Sequence, residues 1–259
     1  MRRRTHQRKS KVENKIFSFT PLADAAQKIK GANIWLLDFS LLTENHIAKL
    51  SNILSPEELI RAQTFKHKQH HFLATRALIR KVLAHYTSMP SSSLEFARRE
   101  QGKPYLTNSP FPIYFNLSHS GNFAVLAVST LGEMGIDIET IRPRNFLSIA
   151  ERYYHADELK QLLATPEAKR EQLFFKLWTL KEAFFKATGG GISSGLDKAV
   201  FDLSDTHIQA RFAAELEVNE HEWRFQQEFI TPTTLVALAL QTNESIQHQW
   251  FDSNSLLSK

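Results

Sequence analysis

Cysteine is absent from all 259 residues, which removes disulfides, thiolate metal sites and a thiol nucleophile. Any catalysis must then use oxygen, nitrogen or a metal ion. Long apolar runs are missing too: no segment is long enough to cross a bilayer, and the early arginines are not followed by an apolar signal core. The expectation is a cytoplasmic, soluble protein with no membrane partner. The body of the chain also lacks an excess of charge. Residues 1–15 carry Arg2, Arg3, Arg4, Arg8, Lys9, Lys11 and Lys15 against Glu13 alone, a net of +6, whereas the whole chain carries +5 and residues 16–259 therefore −1. The high pI belongs to a polar extension of the kind that stays disordered, and no nucleic-acid partner is expected.

The length suits one large domain or two small ones with a substantial core. Asn33 to Phe39 reads as a buried strand, and Ser55-Pro56-Glu57-Glu58 as a helix start with a capping serine, a proline at the first position and acids in the first turn. Helical periodicity continues, with interruptions, through Tyr86. Leu94 to Ala97, Ile113 to Leu117 and Phe123 to Ser129 are short, apolar and bounded by turn residues, so they read as strands. A similar order follows: a strand from Met134 to Glu139, helices over 149–163 and 166–188, and strands near 199–203, 207–212, 223–230 and 234–240. Gly189-Gly190-Gly191 ends the long helix. The pattern predicts an α+β fold of two similar halves meeting near residue 131, each a mostly antiparallel sheet packed with helices. The boundaries expected are a basic extension over 1–31, an N-terminal half over 32–130, a C-terminal half over 131–245 and a tail over 246–259.

Chemistry concentrates in two segments. In Gly135-Ile136-Asp137-Ile138-Glu139, apolar and acidic residues alternate with period two, which puts Asp137 and Glu139 on one face of a strand. In Trp178-Thr179-Leu180-Lys181-Glu182-Ala183-Phe184-Phe185-Lys186, the spacing of Glu182 and Lys186 stacks them one helical turn apart. Three carboxylates beside an ammonium group suit a hard divalent ion, Mg²⁺, acting on phosphate or pyrophosphate oxygens. Phe174, Phe175, Leu177, Phe184 and Phe185 are read as packing for the long helix, with some of that apolar surface available to a partner protein.

Two upstream segments join these: Gly102-Lys103-Pro104 and Phe115-Asn116-Leu117-Ser118-His119-Ser120-Gly121. All four, in this order, resemble the phosphopantetheinyl transferases, in particular their longer, pseudo-dimeric, surfactin-synthetase-activating type. That family has a Gly-Ile-Asp strand and then a Trp-x-x-Lys-Glu-x-x-x-Lys helix after about forty residues; here Asp137 and Glu182 stand 45 apart. The likeness covers 35–239. It implies two halves related by a pseudo-twofold, a coenzyme A site in the cleft between them, and Mg²⁺ held by Asp137, Glu139 and Glu182. The serine hydroxyl of an apo acyl or peptidyl carrier protein would attack the phosphorus bearing the pantetheine arm and expel adenosine 3′,5′-bisphosphate. Glu182 is the first candidate for accepting the serine proton and Glu139 the runner-up; Lys186 would offset charge on the pyrophosphate. Lys103 and His119 match positions that hold the 3′-phosphate, Ser118 stands in the same motif, and Gly102 and Pro104 would shape a loop against the adenine. Arg61 and Arg76 are candidate partners for remaining phosphate oxygens. Glu58 departs from relatives that carry lysine there, so that contact is not carried over. A chain with both halves is expected to work as a monomer.

Three other readings compete. A Mg²⁺-dependent nuclease or phosphohydrolase also uses acidic groups with a lysine, but the near-neutral body offers no surface to track a phosphate backbone. A non-catalytic coenzyme A or carrier-binding module is expected to have lost a metal carboxylate, and none is missing. His67, His70 and His71 could imitate a zinc site; without cysteine or an evident fourth ligand they read as a solvated basic helix.

Overall fold

The computed structural model describes residues 29, 31–190, 195–205 and 207–258. The expected disorder of the basic extension, apart from Ile29 and Gly31, and the last glycine of the Gly189–Gly191 run lie outside the described residues. The order is β1 (Gly31–Asp38), α1 (Glu44–Leu50), α2 (Pro56–Ala62), α3 (Gln69–Thr87), β2 (Phe96–Arg98), β3 (Pro104–Leu106), β4 (Tyr114–Ser120), β5 (Phe123–Ser129), β6 (Met134–Thr140), α4 (Phe146–Tyr153), α5 (Ala156–Ala164), α6 (Glu167–Thr188), β7 (Ala199–Asp202), β8 (Gln209–Phe212), β9 (Trp223–Thr231), β10 (Thr234–Gln241), β11 (Gln247–Asp252) and α7 (Ser253–Leu257). Among the described residues no helix is long and apolar enough to cross a membrane.

The architecture is α+β. One sheet has the order β11-β1-β5-β4, the other β6-β10-β9, and β2-β3 and β7-β8 form small separate pairs. All pairings are antiparallel except the parallel one between β1 and β11. The strands at the centre read as continuous apolar runs because both of their faces are buried. In β10, Val236, Leu238 and Leu240 pack with Ala32 and Ile34 of β1, Val125 and Ala127 of β5 and Ile136 and Ile138 of β6, a core shared by the two sheets. The alternate residues Leu235, Ala237 and Ala239 turn outward onto α6. On the far side, Trp35, Leu37, Leu126 and Val128 pack against Leu78, Val82 and Leu83 of α3. The layers therefore run helix, sheet, sheet, helix, and β4 and β6 meet along the seam.

Local chemistry explains the helix ends. Ser55 caps α2, as the sequence predicts, and the Glu58 side chain returns the bond by accepting from the Ser55 amide. The single helix expected over 149–163 is two, α4 and α5, because His155 and Glu158 form a capping box that starts a new helix. Helix α6 ends at Gly189, whose φ of 87° lies in the left-handed region that glycine tolerates.

The expected tail over 246–259 is corrected. It supplies β11 and α7, with Trp250, Phe251 and Leu257 buried. β11 covers an edge that β1 would otherwise expose, so the C-terminus completes the N-terminal sheet.

A candidate active site on the seam between the two sheets

Strand β4 alternates polar residues, and Asn116, Ser118 and Ser120 all reach β6. Asn116 Oδ1 accepts from the Ile136 amide at 2.9 Å, and Ser120 Oγ accepts from the Thr140 amide at 3.0 Å. Ser118 Oγ donates to Asp137 Oδ1 at 2.9 Å, and Ser120 Oγ donates to Glu139 Oε2 at 3.1 Å. Side chains thus substitute for a backbone ladder where the two sheets meet, and they hold the acidic pair in place.

Helix α6 adds the remaining groups. Its backbone lies so close to β6 that a Cβ at Gly135 would come within 2.0 Å of the Ala183 carbonyl oxygen. Lys186 Nζ donates to Asp137 Oδ1 at 2.5 Å and to Ser118 Oγ at 2.9 Å. Arg144 Nη2 stands 3.8 Å from Glu139 Oε2. Asp137 Oδ2 and Glu182 Oε1 are buried with no hydrogen-bond partner among the described residues. Burial, and then the Asp137 charge, push the Glu182 carboxyl up to about 7, with Glu139 adding to the rise and Lys186 opposing it. Burial and the Asp137 charge also raise Glu139, against Arg144, Ser120 and Lys186.

Among the described residues no three His, Cys, Asp or Glu side chains already form a cage for a metal ion. The donor set nevertheless suits a hard cation: two orphaned carboxylate oxygens and two carboxyls held above their ordinary range share one seam.

His119 follows Ser118 on β4, so its side chain leaves the opposite face. Burial lowers its pKa most, followed by the charges of Lys68 and Lys186. His71 is lowered by burial and by Lys68, His119 and His70, and its ring stacks on Phe39 with centroids 3.8 Å apart. Lys68, His71 and His119 therefore lie near enough for a positive charge on one to disfavour it on the others. The sequence reading missed Lys68 and His71; the signal was present in the Lys-His-Lys-Gln-His-His run, where it passed for a solvated face. No metal-binding group includes these histidines among the described residues.

Two residues expected at phosphate oxygens are engaged within the chain itself. Lys103 Nζ donates to Glu133 Oε2 at 2.7 Å, to the Met134 carbonyl at 3.0 Å and to the Ala187 carbonyl at 2.7 Å, which occupies every donor of an ammonium group. Arg76 is held by Glu58 Oε1 at 2.6 Å, while Arg80 holds the other oxygen of that carboxylate at 2.6 Å. The two arginines, with the Ser55 amide, keep the Glu58 carboxyl low against its burial. Arg61, whose guanidinium lies 6.0 Å from the Phe72 ring centre, shares a cavity of about 490 Å³ with Arg76, Arg80, Arg98, Phe96 and Pro104. Gly102, with φ of 89°, makes the turn before Lys103 and Pro104.

Comparison with known proteins matches the two halves in tandem. A sequence model of the N-terminal region of 4′-phosphopantetheinyl transferases fits residues 43–131, and one of the 4′-phosphopantetheinyl transferase superfamily fits 133–239. The 4′-phosphopantetheinyl transferase psf-1 of Bacillus pumilus is 39% identical over 161 residues, 61% of this chain and 68% of that protein. Sfp of Bacillus subtilis is 33% identical over 158 residues, 60% of this chain and 69% of that one. HetI of Nostoc sp. is 37% identical over 155 residues, 58% of this chain and 65% of that protein. A putative 4′-phosphopantetheinyl transferase of Synechocystis sp. is matched over 63% of its length, so this chain spans just under two thirds of these last two relatives. The crystal structure of a holo-[acyl-carrier-protein] synthase from Thermotoga maritima aligns with 43% of this chain and 64% of that one, at 21% identity and a TM-score of 0.36.

Proposed function

The chain belongs to the longer, Sfp-like type of the 4′-phosphopantetheinyl transferase superfamily, and from that premise we propose that it moves the 4′-phosphopantetheine arm of coenzyme A onto a serine hydroxyl of an apo acyl or peptidyl carrier protein. In that reaction the serine oxygen bonds to the phosphorus bearing the arm, the phosphorus–oxygen bond within the pyrophosphate breaks, and adenosine 3′,5′-bisphosphate leaves. The observation that carries the reading is the set of buried, partnerless oxygens on Asp137 and Glu182 beside Lys186.

Asp137, Glu139 and Glu182 would hold Mg²⁺, which when bound offsets the charge of the pyrophosphate. Glu182, whose carboxyl stands at about 7 before any cation binds, is the first candidate to take the serine proton, directly or through water, although holding the ion would weaken it as a base. Lys186, anchored by Asp137 and Ser118, presents its ammonium to the charge that develops on the leaving group. Ser118 and Ser120 keep the acidic pair oriented. The cluster of Lys68, His71 and His119 suits the 3′-phosphate, because an anion relieves its mutual repulsion. Arg61 and Pro104 line the neighbouring cavity, where the adenosine would lie. With both walls of the seam in one chain, the working unit would be the monomer, serving carriers in the cytoplasm.

Intact-mass analysis of a panel of apo carriers, incubated with this protein, coenzyme A and Mg²⁺, tests the reading. One carrier should gain a single phosphopantetheine on its serine. Coenzyme A binding without a mass gain on any carrier, across the acyl and peptidyl classes, would overturn it.

A further inference from the structure

We infer that Lys103 is a positioning residue, which fastens the N-terminal half to the junction of β6 and α6 and so sets where the acidic groups stand; it is not a phosphate ligand. The inference deepens the transferase reading and rests on it for its catalytic consequence.

Lys103 lies between the turn at Gly102 and β3, yet its Nζ reaches three acceptors of the other half. Met134 opens β6, the strand of Asp137 and Glu139; Ala187 follows Lys186 in α6. The Ala187 carbonyl belongs to the last turn of α6, where no further helical amide remains to bond it, and a cation from another element satisfies it. Glu133 completes the set, taking Lys103 on one oxygen and Arg99 on the other. The side chain of Lys103 is 8% exposed. Strand and helix touch backbone to backbone at this point, since a Cβ on Gly135 would lie 2.0 Å from the Ala183 oxygen and 2.5 Å from the Ala187 nitrogen. A lysine bonding both chain ends there leaves them little freedom to slide past each other. Sliding would carry Glu182 and Lys186 along Asp137.

The test compares K103M and E133Q with the wild-type chain in three measurements: affinity for coenzyme A and for 3′-dephospho-coenzyme A, turnover with a carrier, and hydrogen exchange of the β6 and α6 amides in the free protein. K103M should exchange faster at the start of β6 and in the last turn of α6, while the middle of α3 is unchanged. Its turnover should fall on the order of a hundredfold, the scale expected when reacting groups are misplaced by about an ångström. The ratio of its two affinities should stay that of the wild type. E133Q, whose amide oxygen still accepts from Lys103, should change turnover and exchange in the same direction and by less. A selective loss of affinity for coenzyme A of about tenfold or more in either variant would make Lys103 a phosphate ligand and overturn the inference. Unaltered exchange or unaltered turnover in folded K103M would also overturn it; should K103M fail to fold, the same criteria apply to E133Q. If the wild-type chain neither binds coenzyme A nor modifies a carrier while exchange responds as described, the transferase reading fails and the clamp stands.

Discussion

Lys186 Nζ sits 2.5 Å from Asp137 Oδ1, and Ser118 Oγ bridges them by accepting from the lysine and donating to the same carboxylate oxygen. The cation comes from α6, the anion from β6 and the hydroxyl from β4, so one three-membered contact joins both sheets to the long helix. Only one oxygen of Asp137 is satisfied by it, because Oδ2 is buried without a partner among the described residues. The ammonium therefore neutralises the site from one side and leaves the other side open to a second cation.

Lys186→Met should expose that balance. Asp137 is 4% exposed, and stripping a buried charge of its partner costs about 3 to 5 kcal/mol. The metal-free variant should melt well below the wild type, and Mg²⁺ should recover much of the difference because it supplies the missing positive charge. Transfer should stay at least about a hundredfold slow, since the leaving group loses its ammonium. Melting curves with and without Mg²⁺, together with single-turnover rates, decide it. A variant that melts and reacts like the wild type would remove Lys186 from the mechanism.

The Glu182 carboxyl makes the metal-free protein sensitive to pH. Its folded value of about 7 lies above its ordinary 4.5, raised first by burial and then by the Asp137 charge. The native state therefore binds this proton more tightly than the unfolded chain does. The associated stability is complete below about pH 4.5 and is lost as the pH rises through about 7. Glu182→Gln should not lose it, so the variant should overtake the wild type by about 1 to 3 kcal/mol at pH 8 while matching it near pH 5. Urea unfolding in the presence of a chelator, at both pH values, measures the difference. Equal slopes with pH for the two proteins would show that Glu182 is not titrating at the seam.

Gly135→Ala tests the closeness of β6 and α6. The new methyl would lie within 2.0 Å of a backbone oxygen, and no side-chain rotation relieves that contact. Overpacking of this kind costs about 1 to 3 kcal/mol or more. The expected result is a lowered denaturation midpoint and slow transfer, with the carboxylates and Lys186 all intact. Normal turnover in a destabilised variant would mean that the site tolerates displacement of the helix.

Much of this arrangement was legible in the sequence where a segment carries its own periodicity. β6 and α6 lie within a residue of their expected limits, because alternating carboxylates and a capped apolar helix are local signals. β4 was expected to stop at Leu117, yet it runs to Ser120. Its serines looked like turn residues, but their backbone continues the ladder with β5, and their side chains reach across to β6. The same limit applies to Lys103 and Arg76: a motif points to the one and its place in a basic stretch to the other, but the acceptors that occupy them, Ala187 and Glu58, come from other parts of the fold. The parallel pairing of β11 with β1 joins segments from opposite ends of the chain, and neither segment encodes the other.

That pairing predicts a dependence of the N-terminal half on the C-terminus. Phe251 is 2% exposed and stacks on Trp35 with ring centres 4.7 Å apart, while Trp250 enters the core between the sheets. Phe251→Ala should cost about 3 to 5 kcal/mol, the usual loss for a buried aromatic side chain. Ending the chain after Ile246 should do more, because it removes β11 and α7 together and leaves β1 as an uncovered edge. The truncated protein should aggregate or unfold at a much lower urea concentration, although every residue of the acidic site is retained. Urea titration followed by tryptophan fluorescence, with Phe251→Ala as the milder case, provides the measurement. A truncated chain as stable as the full one would show that β11 only rests on the sheet.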